Sequence, residues 1–199
     1  MTSEILRANI ERSVQVHGKL LDVCLPAMTA AANALVSSYL AGHKALLFGN
    51  GGSSTDAQHM AGELLGRYLR ERSPLPAVAL ADNAAAVTAI ANDYGYDQVF
   101  SRQLQALAVP GDVAVAISTS GNSQSVIEAV TCARKLGLFT IGLTGASGGR
   151  LRGMVDALIA VPSDETPRIQ ECHILVGHAL CDAVEQAIAS TQAKARVQQ

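Results

Sequence analysis

The segment Gly49–Thr55 combines glycine, asparagine and hydroxyl-bearing residues at the point where a short apolar run ends. Such a loop lets the backbone approach an anion closely, and the helix predicted after it presents free N–H groups. On that helix His59 and Glu63 are four residues apart and share one face. They could be metal ligands or an acid and base. The spacing predicts a substrate site, with an exposed His–Glu pair as the simpler alternative.

A second loop of this kind, 118–123, follows another apolar run and precedes a helix predicted to continue to Lys135. Four of its six residues carry hydroxyl groups: Ser118, Thr119, Ser120 and Ser123. Hydroxyl and backbone N–H groups at a helix N-terminus suit a phosphate monoester. An ordinary N-cap needs only one hydroxyl. The sequence therefore favours phosphate binding here, and it leaves Asn50 and the glycines of the first loop to contact another part of the substrate.

The first loop does not match a nucleotide-binding motif. Ser54 occupies the place of the last glycine in G-x-G-x-x-G, and the chain contains no Gly-Lys-Ser/Thr of the Walker type. A nucleotide cofactor is therefore disfavoured. The remaining alternative for this loop is a glycine-rich βα turn that is needed only for packing.

A third polar cluster lies in the segment 167–178. Gln170 and His178 are eight residues apart, about 12 Å along a helix axis. They could therefore meet at one ion only by reaching toward each other from both sides. His173 lies on a different flank of the same predicted helix, and the spacing favours a structural role for it.

Five short apolar runs must position these residues, and they alternate with helical patterns of about 10 to 15 residues. The runs are Ala45–Phe48, Ala77–Leu80, Val113–Ile117, Thr140–Leu143 and Ala157–Val161. Uninterrupted runs of this kind are typical of strands buried on both faces of a parallel sheet. We predict an α/β fold, a three-layer αβα sandwich with a five-stranded parallel sheet. Both loops would then face one crevice at the carboxyl ends of adjacent strands.

Helices are predicted at both ends of the chain. Two span about 2–23 and 26–41, and a long one runs from about 167 to 191. The stretch 23–42 is uncharged and long enough to suggest a membrane span, but it contains Pro26, Asn33 and serines. A buried or interface helix is favoured over a membrane segment. The N-terminus lacks an apolar core of signal-peptide type.

Composition bounds the class of protein. The chain has 199 residues, 49% apolar and 16% charged, which is enough for one sizeable globular domain. Its net charge of -2 and the lack of a Lys/Arg run argue against a general nucleic-acid binder. The four cysteines form no C-x-x-C pair, so a Cys-type zinc site is disfavoured. Reduced thiols in a cytoplasmic protein are the simplest interpretation.

Several segments together resemble the bacterial phosphoheptose isomerases of the sugar-isomerase (SIS) domain family. These segments are Phe48–Ser53, Ala57–His59, Ala89–Tyr96, Ile117–Ser123 and Arg168–Ile174. They occur in the family's order, and the similarity covers about residues 40–188. It gives a meaning to Asn92 and Asp93, which turn formation alone would otherwise explain.

The resemblance implies a single SIS domain over residues 1–199 that converts sedoheptulose 7-phosphate to D-glycero-D-manno-heptose 7-phosphate, the first committed step of heptose precursor synthesis. It implies one zinc ion per subunit, with ligands at His59, Glu63, Gln170 and His178. Implied substrate contacts are Asn50, Gly51, Gly52, Glu63, Asn92, Asp93, Ser118, Thr119, Ser120, Ser123 and Gln170. It also implies a homotetramer with active sites between subunits, in which the N-terminal helices, about residues 2–41, form interfaces.

Ketose–aldose isomerisation moves a proton between C1 and C2 through an enediol-like intermediate. It needs a base near the carbon, an acid near the carbonyl oxygen, and stabilisation of the developing oxyanion. The resemblance points to Glu63 and His178 as this catalytic pair, and our hypothesis assigns Glu63 as base and His178 as acid. No nucleic acid or membrane partner is expected.

Two other functions stay open at this point. Some relatives with these loops are non-catalytic sugar-phosphate-binding proteins that associate with a replication initiator. They generally lack an acid at the position of Glu63, whereas this chain has both Glu63 and His178. The other candidate is a relative that acts on an amino-sugar phosphate.

Overall fold

A five-stranded parallel sheet forms the centre of the molecule, as predicted. The computed structural model describes residues 1–197. The strand order is β2-β1-β3-β4-β5. The strands are β1 (Ala45–Gly49), β2 (Ala77–Ala79), β3 (Val113–Ile117), β4 (Phe139–Thr144) and β5 (Ala157–Ala160). Their bounds lie within one residue of the predicted ones. Since β1 pairs with β3, the two polar loops follow adjacent strands.

Helices cover both faces of the sheet and complete the three-layer architecture. They are α1 (Thr2–Gly18), α2 (Leu20–Leu40), α3 (Gly52–Leu65), α4 (Ala84–Tyr94), α5 (Ser101–Leu107), α6 (Gln124–Lys135) and α7 (Thr166–Val197). Short 3-10 helices span Tyr96–Gln98 and Gly149–Leu151. The helices α2, α3 and α7 pack on one face, while α5 and α6 pack on the other.

The residues of β1 contribute alternately to two apolar cores, one on each face of the sheet. Ala45 and Leu47 belong to the core shared with α2, α3 and α7, and Leu46 and Phe48 belong to the core shared with α5 and α6. Side chains of a strand point alternately to opposite faces. All five residues of β1 and of β3 are buried, which is why their sequences show no polar alternation.

The N-terminal helices break at a different place from the predicted one. The break is at Lys19, not near Val23, and Pro26 lies inside α2. Gly18 is a weak helix former, so a helix ends there readily. The break lets Leu20 and Cys24 reach the core, and their burial offsets the hydrogen bond that Pro26 cannot make.

Two other helices also have boundaries that differ from the predicted ones. The helix predicted to end at residue 91 extends to Tyr94, so Asn92 and Asp93 lie in its last turn. The C-terminal helix starts at Thr166 and runs to Val197, beyond the predicted end at 191. Helix ends are set by local capping and packing, which apolar periodicity does not encode.

α2 has the length and composition of a membrane span, a test that core helices of soluble proteins also pass. In the structure one side of α2 packs against α7 and β5. Its buried side includes Leu20, Cys24, Ala31 and Leu35. The opposite side exposes apolar residues such as Leu21 and Leu25.

Candidate active site

Three of the predicted ligands converge at one point between α3 and α7. The imidazole Nε2 of His59 lies 3.3 Å from Oε1 of Glu63 and 2.9 Å from Nε2 of His178. One ligand atom from each residue falls within 4.8 Å of the others. We call these three residues the metal cluster. His59 and Glu63 meet because they are one turn apart on α3, while α7 brings His178 across 119 positions of sequence.

The donor set of the metal cluster fits a divalent ion of the zinc type. Two imidazoles and one carboxylate are ligands of catalytic zinc sites that leave a further position for substrate or water. Ligands of a tetrahedral ion at about 2.0–2.1 Å lie about 3.3 Å apart, close to the two distances above. His59 is half-exposed and Glu63 is 23% exposed, so the cluster is reachable from solvent.

Gln170, the fourth predicted ligand, also lies on α7. Its side-chain amide packs against Gly52, where an added Cβ would come within 2.6 Å of Nε2. Gly52 begins α3 and precedes His59 by about two helical turns. The structure therefore brings together His59, Glu63 and His178, and it places the Gln170 amide against Gly52 at the start of α3.

The first loop holds Asn50 in a fixed orientation. The Asn50 amide donates through Nδ2 to the Ser125 hydroxyl at 3.0 Å, and its Oδ1 accepts from the Tyr96 hydroxyl at 2.8 Å. Gly51 is the N-cap residue of α3 and has φ +56°, a backbone conformation that favours glycine. Gly51 and Gly52 are exposed, so the loop backbone is accessible beside Asn50.

Hydroxyl groups of the second loop line a polar cleft of about 220 Å³. Its walls include Thr119, Ser120, Asn122, Gly145, Ser147, Asp164, Thr166 and Ile169. Ser118 and Ser123, the remaining predicted hydroxyls, contact each other at 3.3 Å. α6 begins immediately after Ser123, so its N-terminal N–H groups and partial positive charge face this region.

Asn92 and Asp93 are exposed at the end of α4, where the Asn92 amide donates to Asp93 Oδ1 at 2.8 Å. The following residues turn back toward the first loop, since Tyr96 contacts Asn50. This contact links the end of α4, which carries Asn92 and Asp93, to Asn50 in the first loop.

His173 is a core residue, as its flank on the predicted helix indicated. It is fully buried, and its Nε2 contacts the carbonyl oxygen of Thr144 at 3.2 Å. Burial lowers the pKa of His173 to about 4, against a smaller opposing effect of the Thr144 carbonyl. The ring is therefore neutral at physiological pH and contributes packing.

Several neighbours of the site carry no signal in the sequence. Tyr68 stacks on His178 with ring centroids 5.4 Å apart and planes at 23°. Tyr96 and Ser125 hold Asn50. Asp56 lies one turn before His59. Burial raises the pKa of its carboxyl, against a smaller opposing effect of His59. Only the contacts reveal these residues, because each lies far in sequence from its partner or on an ordinary helix.

Comparison with known proteins agrees with this geometry. The SIS domain profile matches residues 14–145, well over half of the chain. The chain belongs to the SIS domain family. A phosphoheptose isomerase from Rhodospirillum rubrum is 54% identical over 167 residues, covering 84% of this chain and 89% of that protein. Within the family, the chain groups with the phosphoheptose isomerases.

Solved structures of SIS domain proteins support the same grouping. The phosphoheptose isomerase from Neisseria gonorrhoeae superposes with a TM-score of 0.89 at 42% identity, covering 94% of this chain and all of that one. The enzyme from Francisella tularensis gives a TM-score of 0.90 at 40% identity and 94% coverage of this chain. These comparisons support an isomerase and do not support the non-catalytic alternative.

Proposed function

We propose that this protein isomerises sedoheptulose 7-phosphate to D-glycero-D-manno-heptose 7-phosphate. The observation that carries the proposal is the metal cluster, an acid–base pair with a third donor, at the same edge of the sheet as the polar cleft after β3. The cluster suits the reacting carbons and the cleft suits the phosphate. The relatives named above are isomerases of the same type.

Proton transfer falls to the two residues predicted for it. Glu63 accepts the proton from C1 of the ketose while His178 donates a proton to the C2 carbonyl oxygen, giving the enediol. Glu63 then returns its proton to C2 while the C1 hydroxyl gives its proton to His178, so that the C1 carbonyl forms and both residues regain their starting states. Glu63 and His178 both contact His59, and this places the two groups in one small volume. In this proposal Glu63 serves as the carbon base and acid in both half-reactions.

His59, Glu63 and His178 would hold one zinc ion per subunit, with Gln170 as the further ligand that the resemblance implies. A bound divalent ion would polarise the substrate carbonyl and stabilise the developing oxyanion. Gln170 lies on α7 and its side-chain amide packs against Gly52, beside the loop where the substrate hydroxyls are expected. We therefore propose that Gln170 binds both the metal ion and the substrate, at the boundary between the metal cluster and that loop.

The remaining predicted residues bind the substrate along its length. Asn50, Gly51 and Gly52 contact the hydroxyls, as do Asn92 and Asp93. The phosphate is bound by the second loop, through Ser118, Thr119, Ser120 and Ser123. Binding energy from this remote group positions the reacting carbons.

The N-terminal helices are proposed to form the interfaces of a homotetramer in the cytoplasm. Within Thr2–Gly18 every residue is at least partly exposed, and apolar Ile5, Leu6, Ile10 and Val14 are more than half exposed. A contiguous apolar surface of this kind marks an interaction site in a soluble protein. α2 also exposes apolar residues, among them Leu21 and Leu25.

The decisive experiment is an assay of the purified protein with sedoheptulose 7-phosphate, before and after treatment with a chelator. We expect aldose formation that the chelator abolishes and added zinc restores. Glucosamine 6-phosphate serves as the amino-sugar comparison substrate. Turnover of the amino sugar alone would contradict the proposed substrate, and full activity after complete metal removal would contradict the metal requirement.

A further inference from the structure

Glu185 is a fully buried carboxylate two turns beyond His178 on α7. Its oxygens accept hydrogen bonds from the backbone N–H groups of Tyr68, Leu69 and Arg70 at 2.8, 2.7 and 2.6 Å. A carboxylate withdrawn from water must find such partners. Glu185 thereby fixes the segment that follows α3 against the helix that carries His178.

Arg72 connects this carboxylate to the end of α3. Its guanidinium is 1% exposed, with Nε 3.4 Å from Oε1 of Glu185. The same guanidinium donates to the carbonyl oxygens of Glu63 at 2.8 Å and Gly66 at 3.2 Å. Glu63 belongs to the metal cluster, so a buried ion pair joins the backbone of one cluster residue to the helix of another.

Tyr68 brings the same segment into contact with the cluster itself. Glu185 holds the Tyr68 backbone, and the Tyr68 ring stacks on the His178 imidazole. Packing of this kind restricts the rotation of a ligand ring. Groups that orient metal ligands in this way typically change affinity when they are removed.

We propose that Glu185, Arg72 and Tyr68 are positioning residues for the metal cluster. The ion pair sets the separation of α3 and α7, and the aromatic ring sets the orientation of His178. This inference rests on the metal site of the proposed function. It assigns the three residues to cation binding and turnover, beyond their contribution to folding.

Asp112 offers a matched control at the opposite edge of the sheet. It is equally buried and immediately precedes β3. Asp112 accepts from the backbone N–H groups of Lys44 and Val109 at 3.0 and 2.8 Å, and from the Lys44 ammonium at 2.7 Å. Loss of its charge should lower stability as much as loss of the Glu185 charge, without touching the metal cluster.

The test compares Glu185→Gln with Asp112→Asn in the full-length protein. Zinc affinity is measured by competition with a chromophoric chelator, kcat with sedoheptulose 7-phosphate, and stability by urea unfolding of the metal-free proteins. We expect zinc affinity to fall about tenfold to a hundredfold in Glu185→Gln. In Asp112→Asn the zinc affinity should stay within about twofold of the wild type while stability falls.

Tyr68→Leu keeps the inference testable if Glu185→Gln does not fold. It removes the stacked ring at a half-buried position and should lower zinc affinity, and Tyr68→Phe should restore it. Equal zinc losses in Glu185→Gln and Asp112→Asn would overturn the positioning role, as would unchanged zinc affinity in Tyr68→Leu. If the wild type itself binds no zinc, the proposed metal site fails together with this inference; failure of the variants alone leaves that site standing.

Discussion

The loops after β1 and β3 leave adjacent strands at the same edge of the sheet, yet they use their polar groups differently. In the first loop, Asn50 is bonded at both ends of its amide, to Tyr96 and Ser125. In the second, Thr119 and Ser120 line a cleft. The first loop is fixed so that it orients one amide and leads into α3. The second presents hydroxyls to a ligand.

Glycines in the two loops show the same contrast. Gly51 has φ +56° and open space around it. Gly121 has φ +66°, and a Cβ there would come within 2.1 Å of the Gly148 carbonyl oxygen. The first loop needs glycine for its conformation alone, whereas the second also needs it for close packing. Close packing against the segment near Gly148 holds the polar cleft in shape.

The largest expected effect tests the helix that the first loop starts. Glu63→Gln removes the proposed base while keeping the size of the side chain, so kcat should fall at least about a hundredfold to ten-thousandfold. Sugar-phosphate affinity, measured by calorimetry, should stay nearly unchanged, because we propose that the phosphate binds at the other loop. Appreciable turnover in this variant would show that Glu63, on the helix after β1, is not the base.

Gly121→Ala and Gly51→Ala compare the packing of the two loops. Both introduce a side chain at positive φ, which costs about 1–3 kcal/mol. Gly121→Ala also forces a clash with backbone, which adds about 1–3 kcal/mol. Urea unfolding should show the larger loss in free energy of unfolding for Gly121→Ala. Equal losses would mean that the second loop accommodates an added side chain as readily as the first.

Ser120→Ala tests which loop binds the phosphate. A hydrogen bond to a charged group contributes about 1.5–3 kcal/mol, so KM for the sugar phosphate should rise about tenfold to a hundredfold. Ser54→Ala is the matched control, because the Ser54 hydroxyl donates to the Gly51 carbonyl oxygen within the first loop. A larger KM increase in Ser54→Ala would reverse the comparison and place the phosphate after β1.

Tyr96→Phe should have the smallest effect, because it removes one hydrogen bond to Asn50. Such a bond contributes about 0.5–1.5 kcal/mol, which corresponds to a change in kcat/KM of about twofold to tenfold. Tyr94→Phe is the control, since it keeps the ring that contacts the Arg102 guanidinium at 3.6 Å. If the two variants behave alike, the orientation of Asn50 does not depend on Tyr96.

Much of the fold could be predicted because burial on both faces leaves a direct record in the sequence. Five uninterrupted apolar runs predicted five strands, and the polar loops after two of them predicted the site edge. Helix boundaries were predicted less well, at Lys19 and at Asn92–Asp93, because capping and core contacts decide them. The spacing of His59 and Glu63 predicted their contact correctly, since one helical turn separates them.

The sequence by itself determined the chemistry of the first loop, the hydroxyls of the second and the one-turn pair on α3, because each depends on residues close together in the chain. Only the tertiary structure decided that His178 joins that pair while Gln170 faces Gly52. It also decided that Glu185 and Tyr68 support the cluster. These contacts cross more than a hundred positions, and the packing of α7 on α3, which no local pattern encodes, creates them.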